Sequence, residues 1–145
     1  MANNQNPTNC ELHRMVVSYF AKAHHEHLAE SVKRGLAQAK ARKSIIYTRA
    51  SSEDATRQAA SIAYQTEILM NYAKSHNLTV VGAFNEFCST RASRRPALSN
   101  LMQVALKGNI GKVLCVSLDR ISRSYPEMNQ ITEFLKKKGV EIVTP

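Results

Sequence analysis

Three observations predict an α/β fold: a small, mostly parallel sheet flanked by helices, with a long N-terminal helix ahead of it. Over residues 44–145, short β-branched runs alternate with longer segments whose apolar residues recur at helical spacing. The runs are almost continuously apolar, which suits strands buried on both faces of a parallel sheet. Residues 1–43 break that rhythm, carrying after a polar lead-in one long helical pattern. The expected organisation is therefore a helix over 1–43 and an α/β domain over 44–145.

The strands fall at Ser44–Arg49, Leu78–Phe84, Lys112–Leu118 and Val140–Val143. Between the first two, Ile62, Gln65, Ile68, Leu69, Tyr72 and Ala73 lie at steps of three and four; between the next two, Leu98, Leu101, Met102, Ala105 and Leu106 do the same. A further helix starts at Ser124, where Ser124 and Glu127 have capping-box spacing, Pro126 sits in the first turn, and Met128, Ile131, Phe134 and Leu135 follow. Strand and helix in strict alternation imply right-handed βαβ crossovers.

The leading helix runs from about Cys10 to Arg42, with Thr8 and Glu11 as a capping pair. Leu12, Met15, Val16, Tyr19, Phe20, Ala23, His27, Leu28, Val32 and Leu36 form an apolar stripe. At 1.5 Å per residue this is a rod of roughly 45–50 Å, too long to hide its stripe on a small domain. Part of the stripe is therefore expected to face another chain or DNA, and self-association through residues 10–36 is expected. The last dozen residues carry Lys33, Arg34, Lys40, Arg42 and Lys43 without an acid, a pattern that suits phosphate contacts better than one or two dipole-complementing cations would.

With 145 residues and 43% hydrophobic composition, the chain supports one compact domain plus an appendage and excludes a large multidomain enzyme. Twenty Lys and Arg against 11 Asp and Glu give a net charge of +9, which favours a polyanionic partner. Cys10, Cys88 and Cys115 are too widely spaced for a disulfide framework or a CxxC zinc site, so a reducing, cytoplasmic setting is expected. No apolar run approaches the length of a bilayer span, and no membrane association is expected. His24, His25 and His27 cluster near His13 without carboxylate support and read as helix surface, not as a metal site. Cys115 reads as a small core residue, and Cys88 as an ordinary thiol unless nearby arginines stabilise its thiolate. Lys136, Lys137 and Lys138 end a helix, where cations suit the dipole, and read as a solvated terminus.

The chemistry concentrates where strands end. The first strand delivers Arg49 and Ser51 to the carboxyl edge of the sheet, and the third delivers Asp119, Arg120 and Arg123 to the same edge. A serine facing several arginines, with no histidine nearby in sequence, does not look like a hydrolase triad. It looks like a phosphoryl-transfer site, because a planar, permanently charged guanidinium matches the oxygens of a phosphodiester under attack. The plainer reading is a surface ion pair between Asp119 and Arg120, with Ser51 capping the following helix.

Four segments, IIYTRASS (45–52), SIAYQTEIL (61–69), FCSTRASRRPAL (87–98) and LDRISR (118–123), resemble the catalytic domain of the serine recombinases, the resolvase and invertase group, in order and spacing. The resemblance covers essentially all of 44–145, and its YxRxSS and LDRxSR motifs are specific as a pair. It implies Ser51 as the nucleophile that attacks a DNA phosphodiester, leaving a 5′-phosphoserine link and a free 3′ hydroxyl with no cofactor. It also implies Arg49, Arg95, Arg120 and Arg123 as active-site arginines, and Asp119 as a carboxylate that orients an arginine or handles the proton of the leaving oxygen. Glu86 matches an acidic position and Gln65 and Ser89 neighbouring polar positions, all supporting; the plain alternative for Glu86 is simple arginine pairing. Thr90 replaces the usual Gly and Ala50 the usual Val; neither change removes a catalytic group.

The order of segments departs from the family. Its long interface helix follows the fourth strand and ends in a basic GLAxAKAR-like segment, whereas here VKRGLAQAKARK (32–43) precedes the first strand. Joining Pro145 to Ala2 restores the family order, so a circular permutation is inferred. Fused to Ser44, the helix is expected to bend near Gly35, fray at its basic end, or pack on a neighbour. The implied partners are DNA and further copies of the chain, a dimer and in synapsis a tetramer. No helix-turn-helix or other sequence-reading module is recognisable. The alternatives are a catalytically inactive, DNA-associated assembly module of the same fold, and a phosphatase or nuclease that hydrolyses instead of rejoining.

Overall fold

The computed structural model describes residues 9–50, 54–88 and 94–145. Its elements are α1 (Asn9–Arg42), β1 (Lys43–Arg49), α2 (Ala55–Ser75), β2 (Thr79–Glu86), α3 (Pro96–Leu106), β3 (Lys112–Leu114), α4 (Leu118–Ile121), α5 (Tyr125–Lys137) and β4 (Glu141–Val143). The chain divides after Gln38 into two compact units. Thr8, and with it the expected pairing to Glu11, lies outside the described residues.

The first unit is the body of α1. Met15, Val16, Tyr19, Phe20, Leu28, Val32 and Leu36 are all exposed, and Tyr19 and Phe20 stack edge to face at 6.1 Å. His24, His25 and His27 are exposed as well. The helix is continuous through Gly35 and does not fray before Arg42, so the expected fraying of its basic end is absent.

The second unit, Ala39–Pro145, is built on a four-stranded parallel sheet in the order β2-β1-β3-β4. Strand β1 is central and buried from Ser44 to Arg49. Because successive side chains of a strand point to opposite faces, Ile45 and Tyr47 join a cluster with Leu98, Leu101, Val113, Ile131 and Leu135. Ile46 joins Leu69, Ala73 and Leu114 on the other face. Helices α3 and α5 thus cover one face and α2 the other. Gly108 and Gly139, with φ of +75° and +69°, close the C-termini of α3 and α5 in a conformation that favours glycine. At Gly111 a Cβ would lie 2.6 Å from Ala41 Cα, so this glycine lets the last turn of α1 sit against the start of β3.

Three expectations need correction. Strand β2 is an edge strand, and Thr79, Val81, Ala83 and Asn85 are exposed, so it is not buried on both faces. Strand β3 ends at Leu114 instead of Leu118; Ser117 takes the extended N-cap conformation of α4, with Asp119 in its first turn where a carboxylate suits the dipole. Ser124 is the N-cap of α5 by position, but its side chain makes no capping bond. Instead Ser122 Oγ accepts from Ser124 N–H at 3.0 Å and donates to the Glu127 carboxylate, so the hydroxyl partner of Glu127 is displaced by two residues.

Candidate active site

The carboxyl edge of β1 is pinned from three directions. Pairing of β3 with β1 stops at Ile46 and Leu114, so Arg49 has no strand on that side. Gln65 of α2, buried, takes the place of one: its Oε1 accepts from Arg49 N–H at 3.3 Å and its Nε2 donates to the Arg49 carbonyl at 3.1 Å, with a second bond to Ser61 Oγ at 3.0 Å. On the other side the Glu86 carbonyl accepts from Ala50 N–H at 2.9 Å. The Glu86 carboxylate, buried at the end of β2, accepts from Leu98 N–H at 3.0 Å and so caps α3, whose N-cap residue Arg95 offers no capping side chain.

Around this edge the structure gathers three of the expected arginines. Arg49 is 1% exposed; its Nε donates to the Arg120 carbonyl at 3.1 Å and its Nη1 to the Cys88 carbonyl at 3.1 Å. Arg95 Nη2 donates to Tyr47 Oη at 2.8 Å and to the same Arg120 carbonyl at 3.4 Å. The Arg120 carbonyl is thus shared by two guanidinium groups, and the Arg120 side chain lies 3.8 Å from Asp119. Among the described residues, Arg49 Nη2, Arg95 Nε and Nη1, and Arg120 Nε are buried without a hydrogen-bond partner. Arg95 Nη1 has only the Glu127 carboxylate, at 3.7 Å. Arg123 is exposed beyond Ser122.

The electrostatics follow from this crowding. Burial, and then the charges of Arg120 and Arg123, push the Arg49 guanidinium below its ordinary pKa. Asp119 is held below the usual carboxylate range, first by the hydrogen bond from Ser117 Oγ and then, against desolvation, by Arg120. Burial raises the Tyr47 phenol against the opposing effect of Arg95. Cys88 is shifted up by burial and by Glu86, so its thiolate is disfavoured despite the arginines, as expected of an ordinary thiol. Cys115, in the core, is pushed up to about 12 by burial. An excess of fixed cations with unused donors is chemically an anion site, and planar guanidinium groups match the oxygens of a phosphate. Among the described residues no group of three or more His, Cys, Asp or Glu side chains is placed to hold a metal, and no helix is long and apolar enough to cross a membrane.

Ser51 and Ser89, with Thr90, lie outside the described residues. Ser51 follows Ala50, which the structure places at this edge, and the N-cap of α2 is Asp54, which accepts from Thr56 N–H at 2.8 Å and Arg57 N–H at 3.2 Å. The expected ion pair between Asp119 and Arg120 is present, on the short helix α4 and not at a strand end. Lys40, Arg42 and Lys43 are not brought to the arginine cluster, since they lie at the opposite end of β1 from Arg49. Lys33 and Arg34 are exposed on α1 in the first unit. Three residues of the network were not anticipated: Tyr47, Ser122 and Glu127. A tyrosine inside a central strand was a usable signal, because its buried hydroxyl demands a partner.

Known proteins share the sequence and fold of the α/β domain. A family model described as "Resolvase, N terminal domain" matches residues 44–145. A protein of Bacillus subtilis (strain 168), provisionally named a DNA recombinase, is 32% identical over 98 residues, which are 68% of this chain and 19% of that protein. The chain therefore spans about a fifth of that relative. The C-terminal catalytic domain of ISC1926 TnpA, an IS607-like serine recombinase, superposes with a TM-score of 0.65 at 26% identity, over 70% of this chain and 69% of that one. The N-terminal catalytic domain of TP901-1 integrase gives the same score and identity over 70% of this chain and 76% of its own. With its α/β domain matched from Ser44 to Pro145 and its fold shared with serine recombinase catalytic domains, the chain belongs to the resolvase N-terminal domain family.

Proposed function

We propose that the chain is a site-specific DNA recombinase catalytic domain in which Ser51 cleaves and rejoins phosphodiesters. The observation that carries this reading is the convergence of Arg49, Arg95 and Arg120 at the carboxyl edge of β1, with buried, unpartnered N–H groups, two residues from Ser51. In the step proposed, Ser51 Oγ loses its proton and bonds to phosphorus, the bond from phosphorus to the 3′ oxygen breaks, and that oxygen takes up a proton. The charge that grows on the non-bridging oxygens meets Arg95 and Arg120 from the cluster, and Arg123 from its exposed position beyond it. A carboxylate kept ionised beside Arg120 is better suited to orient that guanidinium than to donate a proton, which favours the orienting role for Asp119. Arg49, Gln65 and Glu86 are positioning residues, and Ser89 is assigned to the same group by its place in the motif. No cofactor enters the step.

The exposed apolar residues of α1 support a homodimer formed through that helix, and a tetramer when two sites are brought together. Lys33, Arg34, Lys40, Arg42 and Lys43 are assigned to DNA phosphates, and the cytoplasm is the compartment in which the protein meets DNA. The order of α1 before β1 supports reading residues 32–43 as the end of the family's interface helix moved ahead of the first strand. The C-terminal place of the catalytic domain in ISC1926 TnpA supports the simpler reading, a catalytic domain that follows another segment.

A nicked duplex that loses its 3′ fragment on cleavage tests the chemistry. Wild type, fused if necessary to a DNA-reading domain, is expected to form a covalent complex that Ser51→Ala abolishes. Absence of that complex refutes the reading in favour of an inactive assembly module, and release of a free 5′ phosphate refutes it in favour of a hydrolase.

A further inference from the structure

In a parallel α/β unit the helices return antiparallel to the strands, so their C-termini collect at the edge of the sheet opposite the active site. Here that edge is strongly cationic. Gly111 is its centre: Gly111 N–H donates to the Lys43 carbonyl, and the Gly111 carbonyl accepts from Glu141 N–H, each at 2.9 Å. Its Cα side faces Lys40 and Ala41 at the end of α1. Lys40 Nζ donates to the carbonyl of Lys138, the C-cap of α5, at 3.1 Å, tying the two helix ends together. Lys40 and Lys138 thus lie together, with Arg42 and Lys43 the next cations along the chain from Lys40 and Lys136 and Lys137 in the last turn of α5, and all six but Lys40 are exposed.

Magnitudes decide what these charges are for. A helix C-terminus carries about half a negative charge, so the ends of α1 and α5 offset roughly one of the six cations. Glu141 is already engaged by Lys112 at 2.5 Å, and Glu133, one turn back on α5, makes no ion pair among the described residues. Complementing the dipole explained three lysines on one helix; it does not explain two basic helix ends converging. The surface lies six residues of β1 from Arg49, about 20 Å at 3.3 Å per residue. That is more than two Debye lengths at physiological ionic strength, so these cations do not act on the scissile phosphate.

We infer that the amino edge of the sheet, formed by Lys40–Lys43 and Lys136–Lys138, binds the phosphate backbone of duplex DNA at a stretch separate from the one held at the arginine cluster. The inference rests on the recombinase reading only in choosing DNA as the polyanion. It gives each chain two duplex contacts on opposite edges of one sheet, and it assigns Lys136–Lys138 a binding role in place of a solvated terminus.

The test is the salt dependence of binding of the full chain to a short, random-sequence DNA duplex, followed by fluorescence anisotropy. Each phosphate that is no longer neutralised lowers the slope of log K against log salt by about 0.9. The triple variant Lys136→Gln/Lys137→Gln/Lys138→Gln is expected to lower the slope by about 2 to 3 and the affinity at least about tenfold. A melting temperature equal to that of wild type establishes that the fold is intact. The comparison is Arg14→Gln/Lys22→Gln on α1. An unchanged slope in the triple variant overturns the inference, and so does an equal loss per charge in both variants, which would mean net charge alone. The slope is read without cleavage, so a failure of Ser51 chemistry is distinguishable from a failure of this surface.

Discussion

Replacing Gln65 by Met isolates the clamp on the end of β1. Methionine keeps the volume and helix propensity of the side chain and removes its polar atoms, so the Arg49 N–H and carbonyl, bonded to it at 3.3 and 3.1 Å, are left buried with no strand on that side. An unsatisfied buried group costs about 1–3 kcal/mol. Two groups, partly relieved by an entering water, give an expected loss of about 2–4 kcal/mol, a large share of the 5–15 kcal/mol typical of a domain. At about 4 °C or more per kcal/mol for a domain near 100 residues, the melting temperature falls by roughly 10–15 °C. Ser51 lies two residues beyond the clamp, so covalent-complex formation, measured at a temperature where both proteins are fully folded, is expected to slow at least tenfold. Urea denaturation with unchanged slope supplies the stability difference. A loss below about 0.5 kcal/mol would refute the claim that Gln65 substitutes for a strand, whatever the cleavage rate does.

The remaining predictions concern the arginine network, Asp119 and α1. Glu127→Gln keeps the shape of the group bonded to Ser122 but removes the charge 3.7 Å from Arg95; single-turnover cleavage is expected to fall about tenfold while stability changes by less than about 1 kcal/mol, and an unchanged rate would exclude Glu127 as a positioning residue. Asp119 has a folded pKa below its unfolded value, so its contribution to stability is present above about pH 4 and is lost as pH falls through the folded pKa. Asp119→Asn should therefore be less stable than wild type by a constant margin between about pH 5 and 8, narrowing below about pH 4, and a margin independent of pH in thermal melts would contradict the assignment. Light scattering is expected to show a mass above that of the monomer for the intact chain and a monomer for Met15→Asp/Phe20→Asp; a monomer for both would leave the exposed apolar residues of α1 without a partner.

Much of this architecture was legible because its signals are local. The alternation of β-branched runs with helical spacing placed β1, α3 and α5 within a few residues and found the body of α2, though not its first two turns, and the buried positions Ile62, Leu69, Leu101 and Leu135 are those the spacing selected. The errors sit where a residue's state depends on a non-local partner. KVLCVSL reads as one strand, yet β4 extends only one rung past Leu114, through Cys115 N–H to the Val143 carbonyl, and Ser117 then starts a helix. Glu86 was legible as a member of the site but not as the cap of α3, since nothing in sequence pairs residue 86 with Leu98 N–H. The basic end of α1 was recognised, but not its company: only the fold brings Lys40 to Lys138.

The crowding of guanidinium groups at the carboxyl edge has a direction. Each buried N–H without a partner works against folding, and Arg49 is further penalised by the charges of Arg120 and Arg123. Networks that are only partly satisfied do not stabilise a domain, so the arrangement is understood by what it is ready to bind. A phosphodiester offers two non-bridging oxygens, and in the pentacoordinate state these carry more charge and accept more strongly. In the proposed reaction the unused donors of Arg95 and Arg120 would gain most where charge is greatest, which is the condition for accelerating a reaction as opposed to merely binding a substrate. Tyr47 and Glu127 hold Arg95 from two sides, and Asp119 lies beside Arg120, so under the proposed reading little reorganisation would remain on binding a phosphate. In the proposed reaction, donors left unsatisfied in the unliganded domain are the ones that would meet the charge of the transition state.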